Sequence, residues 1–305
     1  MTKTHQPHRF KTISSFHQFI NLPKPEHPLI SIIDVGTVKH LHPDEPKSMV
    51  FDFYSIALKR TFNAKVKYGQ GNYDFDDGIM SFLSPGQVLS IELVKDAEIK
   101  QSGWLLLIHP DFLWNFQLAK KIRQYDFFDY SVNEALFLSE KEEAIIAGII
   151  WQIDQEYHSA IDKLSQDIII AQIEVLLAYA ERYYQRQFIT RKKINHQILT
   201  RLEDLLNSYF ESDELVRSGL PMVGYIANQL NISSGYLSGL LRALTGLNAQ
   251  QHIHLKLIEK AKEKLSTTDL SVSEIAYKLG FEHIGSFSKL FKANLSPLAF
   301  RQTFN

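Results

Sequence analysis

The chain has 305 residues, enough for two domains with separate cores, and its 45% hydrophobic content excludes wholesale disorder. It contains no cysteine, which rules out disulfides, thiol catalysis and cysteine-ligated metals. The formal net charge of −1 gives no general attraction to polyanions, no apolar run reaches the length of a membrane span, and residues 1–11 are polar; these features predict a cytoplasmic protein with no membrane association.

Residues 1 to about 112 carry strand signals. Leu29 to Val35, Val50 to Arg60, Ile79 to Leu83 and Trp104 to Ile108 are rich in Ile, Val, Phe, Tyr and Leu. Turn clusters separate them at Pro43-Asp44-Glu45-Pro46, Gly69-Gln70-Gly71-Asn72, Asp76-Asp77-Gly78 and Ser84-Pro85-Gly86. Short strands with closely spaced turns predict a sandwich or small barrel. His40-Leu41-His42 with Glu45 is the one metal-like cluster, since His at i and i+2 share a strand face. Pro43 and Pro46 place it in a loop instead, so no metal site is expected. Aromatic residues including Phe53, Tyr54, Phe62, Phe75, Tyr68, Tyr73 and Phe82 could wall a small-molecule pocket or fill a core; Phe53, Tyr68, Tyr73 and Phe82 are the candidate effector contacts. No Ser-His-Asp arrangement, Walker loop or dinucleotide fingerprint occurs, and paired carboxylates such as Asp76-Asp77 sit in turns. No catalytic residue and no cofactor is predicted.

From about Phe116 the periodicity becomes helical. Ser139 with Glu142 forms a capping box, opening a helix toward Tyr157 with Ile145, Ile149 and Ile153 on one face. A second helix begins after Ser165 and carries Ile169, Ile173, Leu176, Leu177, Ala180 and Tyr184 as a stripe that by default is core. Arg182 to Lys193 is polar and basic, and an amphipathic segment, Ile194 to Phe210, follows it. The domain junction is expected near Thr190, giving segments 1–115, 116–190 and 191–305.

The stretch from Met222 to Arg301 repeats itself. Ile226-Ala227-Asn228-Gln229-Leu230-Asn231-Ile232 matches Ile275-Ala276-Tyr277-Lys278-Leu279-Gly280-Phe281, and Leu237-Ser238-Gly239-Leu240-Leu241-Arg242 matches Phe287-Ser288-Lys289-Leu290-Phe291-Lys292. The offset grows from 49 to 50 between the two blocks, so the later copy has one extra turn residue. Each copy has the grammar of a helix-turn-helix. A small Ala permits close helix crossing, Asn231 or Gly280 accepts positive φ at the turn, and apolar residues then return at helical spacing. Between the copies, Gln250 to Leu265 contains no Pro or Gly, and Ile253, Leu257, Ala261 and Leu265 step along one face. One stiff helix of that length, about 26 Å, can hold two recognition helices about one DNA turn apart. From Arg242 to Arg301 nine basic residues stand against five acidic ones, a surplus of four. That is enough for several phosphate contacts, but the repeat argues for DNA more strongly.

These residues resemble the DNA-binding domain of the AraC/XylS family of bacterial transcription regulators. The resemblance runs through Lys256-Leu257, Ala261, Leu265, Ile275-Ala276, Gly280-Phe281, Phe287 to Lys292 and Ser296-Pro297 to Phe300-Arg301, about a third of the chain. It implies an α+β protein of two domains: an N-terminal cupin-like β-barrel (jelly roll) with a helical dimerisation region, then an all-α tandem helix-turn-helix domain. The His-x-His cluster departs from the metal-binding cupin pattern, and Val88 and Leu89 stand where a further metal ligand would be expected. Homodimerisation is implied too, with the Ile169 to Tyr184 stripe as the alternative to core.

In the first recognition helix Ser233 is the expected N-cap. Gly235, Ser238 and Gly239 are the groove-facing positions by resemblance, and Ser234, Tyr236 and Arg242 complete the DNA-contacting set, Tyr236 and Arg242 at phosphates. The second set is His283, Ile284, Gly285, Ser286, Lys289, Lys292 and Arg301; Lys289 reaches either guanine or phosphate, and Ile284 can meet a thymine methyl. After Phe291 the chain is about two residues shorter than is usual in the family, and Asn294 replaces the capping Gly. The implied partners are double-stranded DNA, a second copy, RNA polymerase if the protein is an activator, and an unidentified small-molecule effector. Two rival readings are a regulator without effector, whose barrel only dimerises or makes protein contacts, and a cupin-type enzyme.

Overall fold

The computed structural model describes residues 7–38, 48–62, 78–90, 101–130, 134–159, 164–212, 214–291 and 297–302. Contacts divide the chain into two compact units, 1–187 and 188–305.

The first unit holds β1 (His8–Phe10), α1 (Ile13–Phe19), β2 (Ile30–Asp34), β3 (Ser48–Phe51), β4 (Tyr54–Phe62), β5 (Ile79–Leu83), β6 (Val88–Ser90), β7 (Gln101–Ile108), α2 (Leu118–Lys121), β8 (Leu136–Phe137) and α3 (Glu140–Tyr157). It ends within α4 (Ser165–Thr190). The strands form a three-stranded sheet, β1-β3-β6, and a five-stranded sheet, β2-β7-β4-β5-β8, with no closed barrel among the described residues. The stretch expected as one strand from Val50 to Arg60 is two. Asp52 breaks it, donating its N–H to Phe10 O at 3.0 Å and accepting Arg9 Nε at 2.8 Å, and the chain passes there from one sheet to the other.

Register assigns the faces of the larger sheet. Ile56 lies opposite both Phe82 and Leu106, so these residues share a face with Tyr54 and Ile108; Ser55, Leu83 and Leu107 share the other. On this second face Leu83, Leu107 and Ile33 pack with Phe10, Phe16, Phe51 and Phe53 from the smaller sheet, α1 and the crossing. The first face lies against the segment after β7 and α4: Phe82 meets Phe127, Phe128 and Tyr184 with ring centroids 4.6, 5.5 and 6.2 Å away. Both faces are therefore covered. Phe53 and Phe82, paired in the sequence as effector contacts, belong to opposite faces and are buried as core; Tyr68 and Tyr73 lie outside the described residues, as does the His40, His42 and Glu45 cluster.

α3 opens with the expected capping box, Ser139 donating its N–H to Glu142 Oε2 at 2.9 Å. Its buried face is Ile146, Ile149, Ile150, Ile153 and Tyr157, whereas Ile145 points to solvent. On α4 all six residues of the expected stripe, Ile169, Ile173, Leu176, Leu177, Ala180 and Tyr184, are 5% exposed or less within a single chain. That corrects the dimer-seam alternative: these side chains are already core. The opposite face of α4 carries its own apolar row, Ile168, Ala171, Val175 and Ala178, extended by Leu164 just before the helix, in alternating steps of four and three, all exposed.

The second unit holds α5 (Lys192–Glu211), α6 (Glu214–Ser218), α7 (Val223–Leu230), α8 (Ser234–Thr245), α9 (Ala249–Thr267), α10 (Val272–Lys278), α11 (Ile284–Phe291) and α12 (Pro297–Gln302) around one core. No helix among the described residues is long and apolar enough to cross a membrane.

If the α4 stripe is core, Leu176→Glu places an unpaired carboxylate at a position with no exposure and should abolish cooperative folding of the first unit. Leu176→Ala should cost about 2–5 kcal/mol in urea unfolding. A folded Leu176→Glu protein by circular dichroism would return the stripe to the surface.

Candidate nucleic-acid interface

The two repeats fold through the same hydrogen bond. α7 ends at Asn231, left-handed at φ 57° and ψ 41°, and Ile232 N–H donates to Ala227 O at 3.0 Å. In the second copy Gly280 is left-handed at φ 78°, and Phe281 N–H donates to Ala276 O, again at 3.0 Å. This is the helix-ending pattern in which a positive-φ residue lets the next N–H reach back over the last turn. Ala227 and Ala276 are both 1% exposed or less, as the close helix crossing requires.

After the first turn Ser233 caps α8, its hydroxyl accepting Tyr236 N–H at 3.1 Å. In the second copy Glu282 is the extra residue and His283 takes the equivalent place; its carbonyl accepts Ser286 N–H at 3.0 Å. Leu237, Leu240 and Leu241 of α8 and Phe287 and Phe291 of α11 turn into the core. Ser234 and Arg242 of α8 are exposed, with Gly235, Ser238 and Gly239 half-buried between them. His283, just before α11, and Ile284, Gly285, Ser286 and Lys289 on it are all exposed. Gly235, Ser238, Gly239 and Arg242 share one face of α8 by their spacing, and the exposed residues 283–286 lie at the start of the second motif's recognition helix. Tyr236 is the correction. It is 6% exposed and packs edge-on against Phe188 with centroids 5.1 Å apart, so it supports α8 from within and is not placed to touch phosphate. Lys292, Asn294, Ser296 and the Arg301 side chain lie outside the described residues.

α9 joins the motifs with 19 residues, about 28 Å of helix, and buries Ala249, Ile253, Leu257, Ala261 and Leu265. Capping boxes open both α9, by Asn248 with Gln251, and α10, by Ser271 with Glu274. The Glu274 carboxyl is held below its usual range, first by the hydrogen bond with the Ser271 side chain and then by the one from its backbone. The Ser-x-x-Glu spacing that announces this cap was available in the sequence. The role of α6 was not: a Cβ on Gly280 would stand 2.5 Å from Leu215 O. Two of the basic residues are already engaged with carboxylates: Lys260 Nζ lies 3.0 Å from Glu263 and 3.3 Å from Glu211, which stands outside the counted stretch, and Lys256 Nζ lies 3.2 Å from Glu259.

Residues 226–303 match the family model described as a helix-turn-helix domain, and this segment is a helix-turn-helix domain of the AraC/XylS type. An uncharacterized HTH-type transcriptional regulator, YfiF of Bacillus subtilis, is 29% identical over 144 residues, 46% of this chain and 42% of its own length. The HTH-type transcriptional activator RhaS of Escherichia coli K12 is 35% identical over 79 residues, 25% of this chain and 28% of its own. The chain thus spans less than half the length of these curated relatives. Among solved structures, the C-terminal domain of the two-component response regulator yesN from Fusobacterium nucleatum is 32% identical, with a TM-score of 0.28, covering 32% of this chain and 96% of that one. ToxT from Vibrio cholerae is 15% identical, with a TM-score of 0.31, covering 83% of this chain and 90% of that one.

The two turns differ in a way that can be measured. Gly246 also has positive φ, at 77°, but nothing lies within 4 Å of a Cβ added there. Gly246→Ala should cost about 1 kcal/mol from backbone strain alone. Gly280→Ala should cost clearly more, since the α6 carbonyl must also move. Equal losses in thermal unfolding would mean that α6 does not brace the second turn.

Proposed function

We propose that the chain is a sequence-specific DNA-binding transcription regulator of the AraC type, whose α8 and α11 enter successive major-groove segments. The observation that carries this is the repeated turn, which presents two equivalent helix faces joined by one continuous helix. The relatives named as transcriptional regulators support regulation, and the one named as an activator favours activation, with RNA polymerase as a further partner. The partition into sensor (1–115), helical region (116–190) and DNA-binding domain (191–305) belongs to this reading. So does a jelly-roll-like relation of the two sheets, supported by the shared core between them. The first unit would sense a small molecule and the protein would act in the cytoplasm.

The two recognition helices divide the work unequally. α8 offers Gly235, Ser238 and Gly239, which lack long bidentate side chains, whereas α11 offers His283 and Lys289. Specificity is therefore concentrated in the groove segment read by α11, and α8 holds mainly backbone, with Arg242 at phosphate. In a binding-site selection with the full chain, Lys289→Ala should relax base preference at one or two positions and cost about 1–3 kcal/mol on the preferred site. Arg242→Ala should weaken all sequences alike and reduce the salt slope by about one phosphate contact. No binding to duplex DNA at low salt would sink the function; an unchanged motif with Lys289→Ala would reassign that residue to phosphate.

Homodimerisation is part of the same proposal, on the other side of α4 from the buried stripe. Leu164, Ile168, Ala171, Val175 and Ala178 have the heptad spacing of a helix–helix seam, with Ile168 43% and Val175 44% exposed. The double variant Ile168→Glu/Val175→Glu should give a folded monomer by light scattering. A wild-type monomer, or a variant that still dimerises, removes this seam.

A further inference from the structure

The first unit contains a cleft that the DNA-binding reading does not use. It has a volume of about 380 Å³ and opens beside the face of the larger sheet that carries Tyr54, away from the filled core between the two sheets. Tyr54 and Phe128 form its floor, ring centroids 5.3 Å apart and edge to face, and Tyr125 forms a wall. Pro85 and Pro110 stand at its sides, where they add apolar surface without donors. Three polar side chains complete it: Arg123, Asp129 and Ser84.

These walls are fixed before any ligand arrives. Phe128 is wedged against Phe82 at 5.5 Å, and Phe128 N–H donates to Tyr125 O at 3.2 Å. Gln87 ties the turn after β5 to the far wall, accepting Ser84 N–H and donating to Tyr130 O, each at 3.1 Å. The aromatic surfaces are thus preorganised, and no ordering cost falls on them when they are covered.

The charges are what define the occupant. Arg123 and Asp129 are both exposed and make no ion pair with each other or with any other described residue. An anion alone would meet the carboxylate of Asp129, and a cation alone would meet Arg123. A ligand bearing both charges on neighbouring atoms satisfies both, with its apolar part against the rings of Tyr54, Tyr125 and Phe128. The volume lies near the lower end of small-molecule sites, which fits one residue-sized molecule and not an oligosaccharide or a long acyl chain.

We propose that this cleft binds a free α-amino acid with an aromatic or large apolar side chain, its carboxylate on Arg123 and its ammonium on Asp129. The proposal rests on the reading of the first unit as a sensor, and names its site and ligand class.

The test is calorimetry on the full chain with three probes: L-phenylalanine, its methyl ester, which lacks the carboxylate, and 3-phenylpropanoate, which lacks the ammonium. L-Phenylalanine should bind at least tenfold more tightly than either analogue. Arg123→Gln should erase its advantage over the ester without weakening the ester, and Asp129→Asn should erase its advantage over 3-phenylpropanoate. Simple loss of folding would not produce this pairing of variant with probe. No heat with L-phenylalanine, L-tryptophan or L-leucine at millimolar concentration overturns the proposal, as does 3-phenylpropanoate binding equally well. Binding that obeys the two variants while DNA affinity stays unchanged upholds the site and overturns the sensor reading. A different small molecule that alters DNA affinity equally in wild type and both variants does the reverse.

Discussion

The second unit depends on one hydrogen bond made twice, from the residue after a left-handed turn back to a buried alanine carbonyl. This bond fixes where each recognition helix leaves its partner, because the reaching N–H, the positive-φ residue and the small Ala must all coincide. Ile232 to Ala227 and Phe281 to Ala276 satisfy it at the same distance, 3.0 Å, although the residues around them differ. The single insertion, Glu282, falls after the bond is closed. It moves the start of α11 without disturbing the turn, which is why the two copies can differ by a residue and still present equivalent faces.

The copies are not equally supported. At the first turn the left-handed residue is Asn231, which carries a Cβ and sits exposed. At the second, Leu215 O of α6 closes over Gly280 and leaves no room for one. α6 is itself tied to α5 through the residue that ends it: Tyr209 Oη of α5 donates to Gly219 O at 2.9 Å, and Gly219 N–H donates to Leu215 O at 3.1 Å. The first helices of the unit therefore brace the last motif, and α9 supplies the core common to both. Two of its lysines, Lys256 and Lys260, face Glu211, Glu259 and Glu263, so a tally of basic residues alone overstates the charge left for phosphate.

What could be read from sequence follows from which physical demands have a fixed spacing. The tandem motif was legible because turn, alanine and core residues recur at set intervals, and the α9 stripe because one face repeats every four residues. Tyr236 was misread, since its position beside the groove-facing residues says nothing of Phe188, distant in sequence, which covers its ring. α4 shows the same limit more sharply. It has two apolar faces, Ile169 to Tyr184 and Leu164 to Ala178, and periodicity identifies both without saying which one meets the sheet. β1, β6 and β8 escaped notice because three residues or fewer are too short for a period to show, and the seven-residue α1 spans only about two turns.

The aromatic composition of the first unit fits either a pocket or a core in the strand region, and among the described residues the packing is that of a core. β4 is buried on both sides at Ile56, Ala57 and Leu58, so alternation between core and solvent is lost over these three positions. The polar groups on the inner face are used among themselves. His17 Nδ1 donates to Pro23 O at 2.6 Å, and Ser31 donates to His17 Nε2 at 2.8 Å, the tautomer that the carbonyl partner demands. Burial lowers the His17 pKa below its ordinary value, and the neutral ring is the form this pairing needs. Between the sheets, then, polar residues are satisfied by one another and phenylalanines fill the remainder. Exposed charge with no ion-pair partner among the described residues, Arg123 and Asp129, stands beside the packed rings of Tyr54, Tyr125 and Phe128 where the sheet's other face meets the segment after β7. That segment is a series of short helical turns, Pro110–Leu113, Leu118–Lys121, Ile122–Gln124 and Asp126–Asp129, and it places Arg123 and Asp129 around Tyr54 while both side chains stay out of the core.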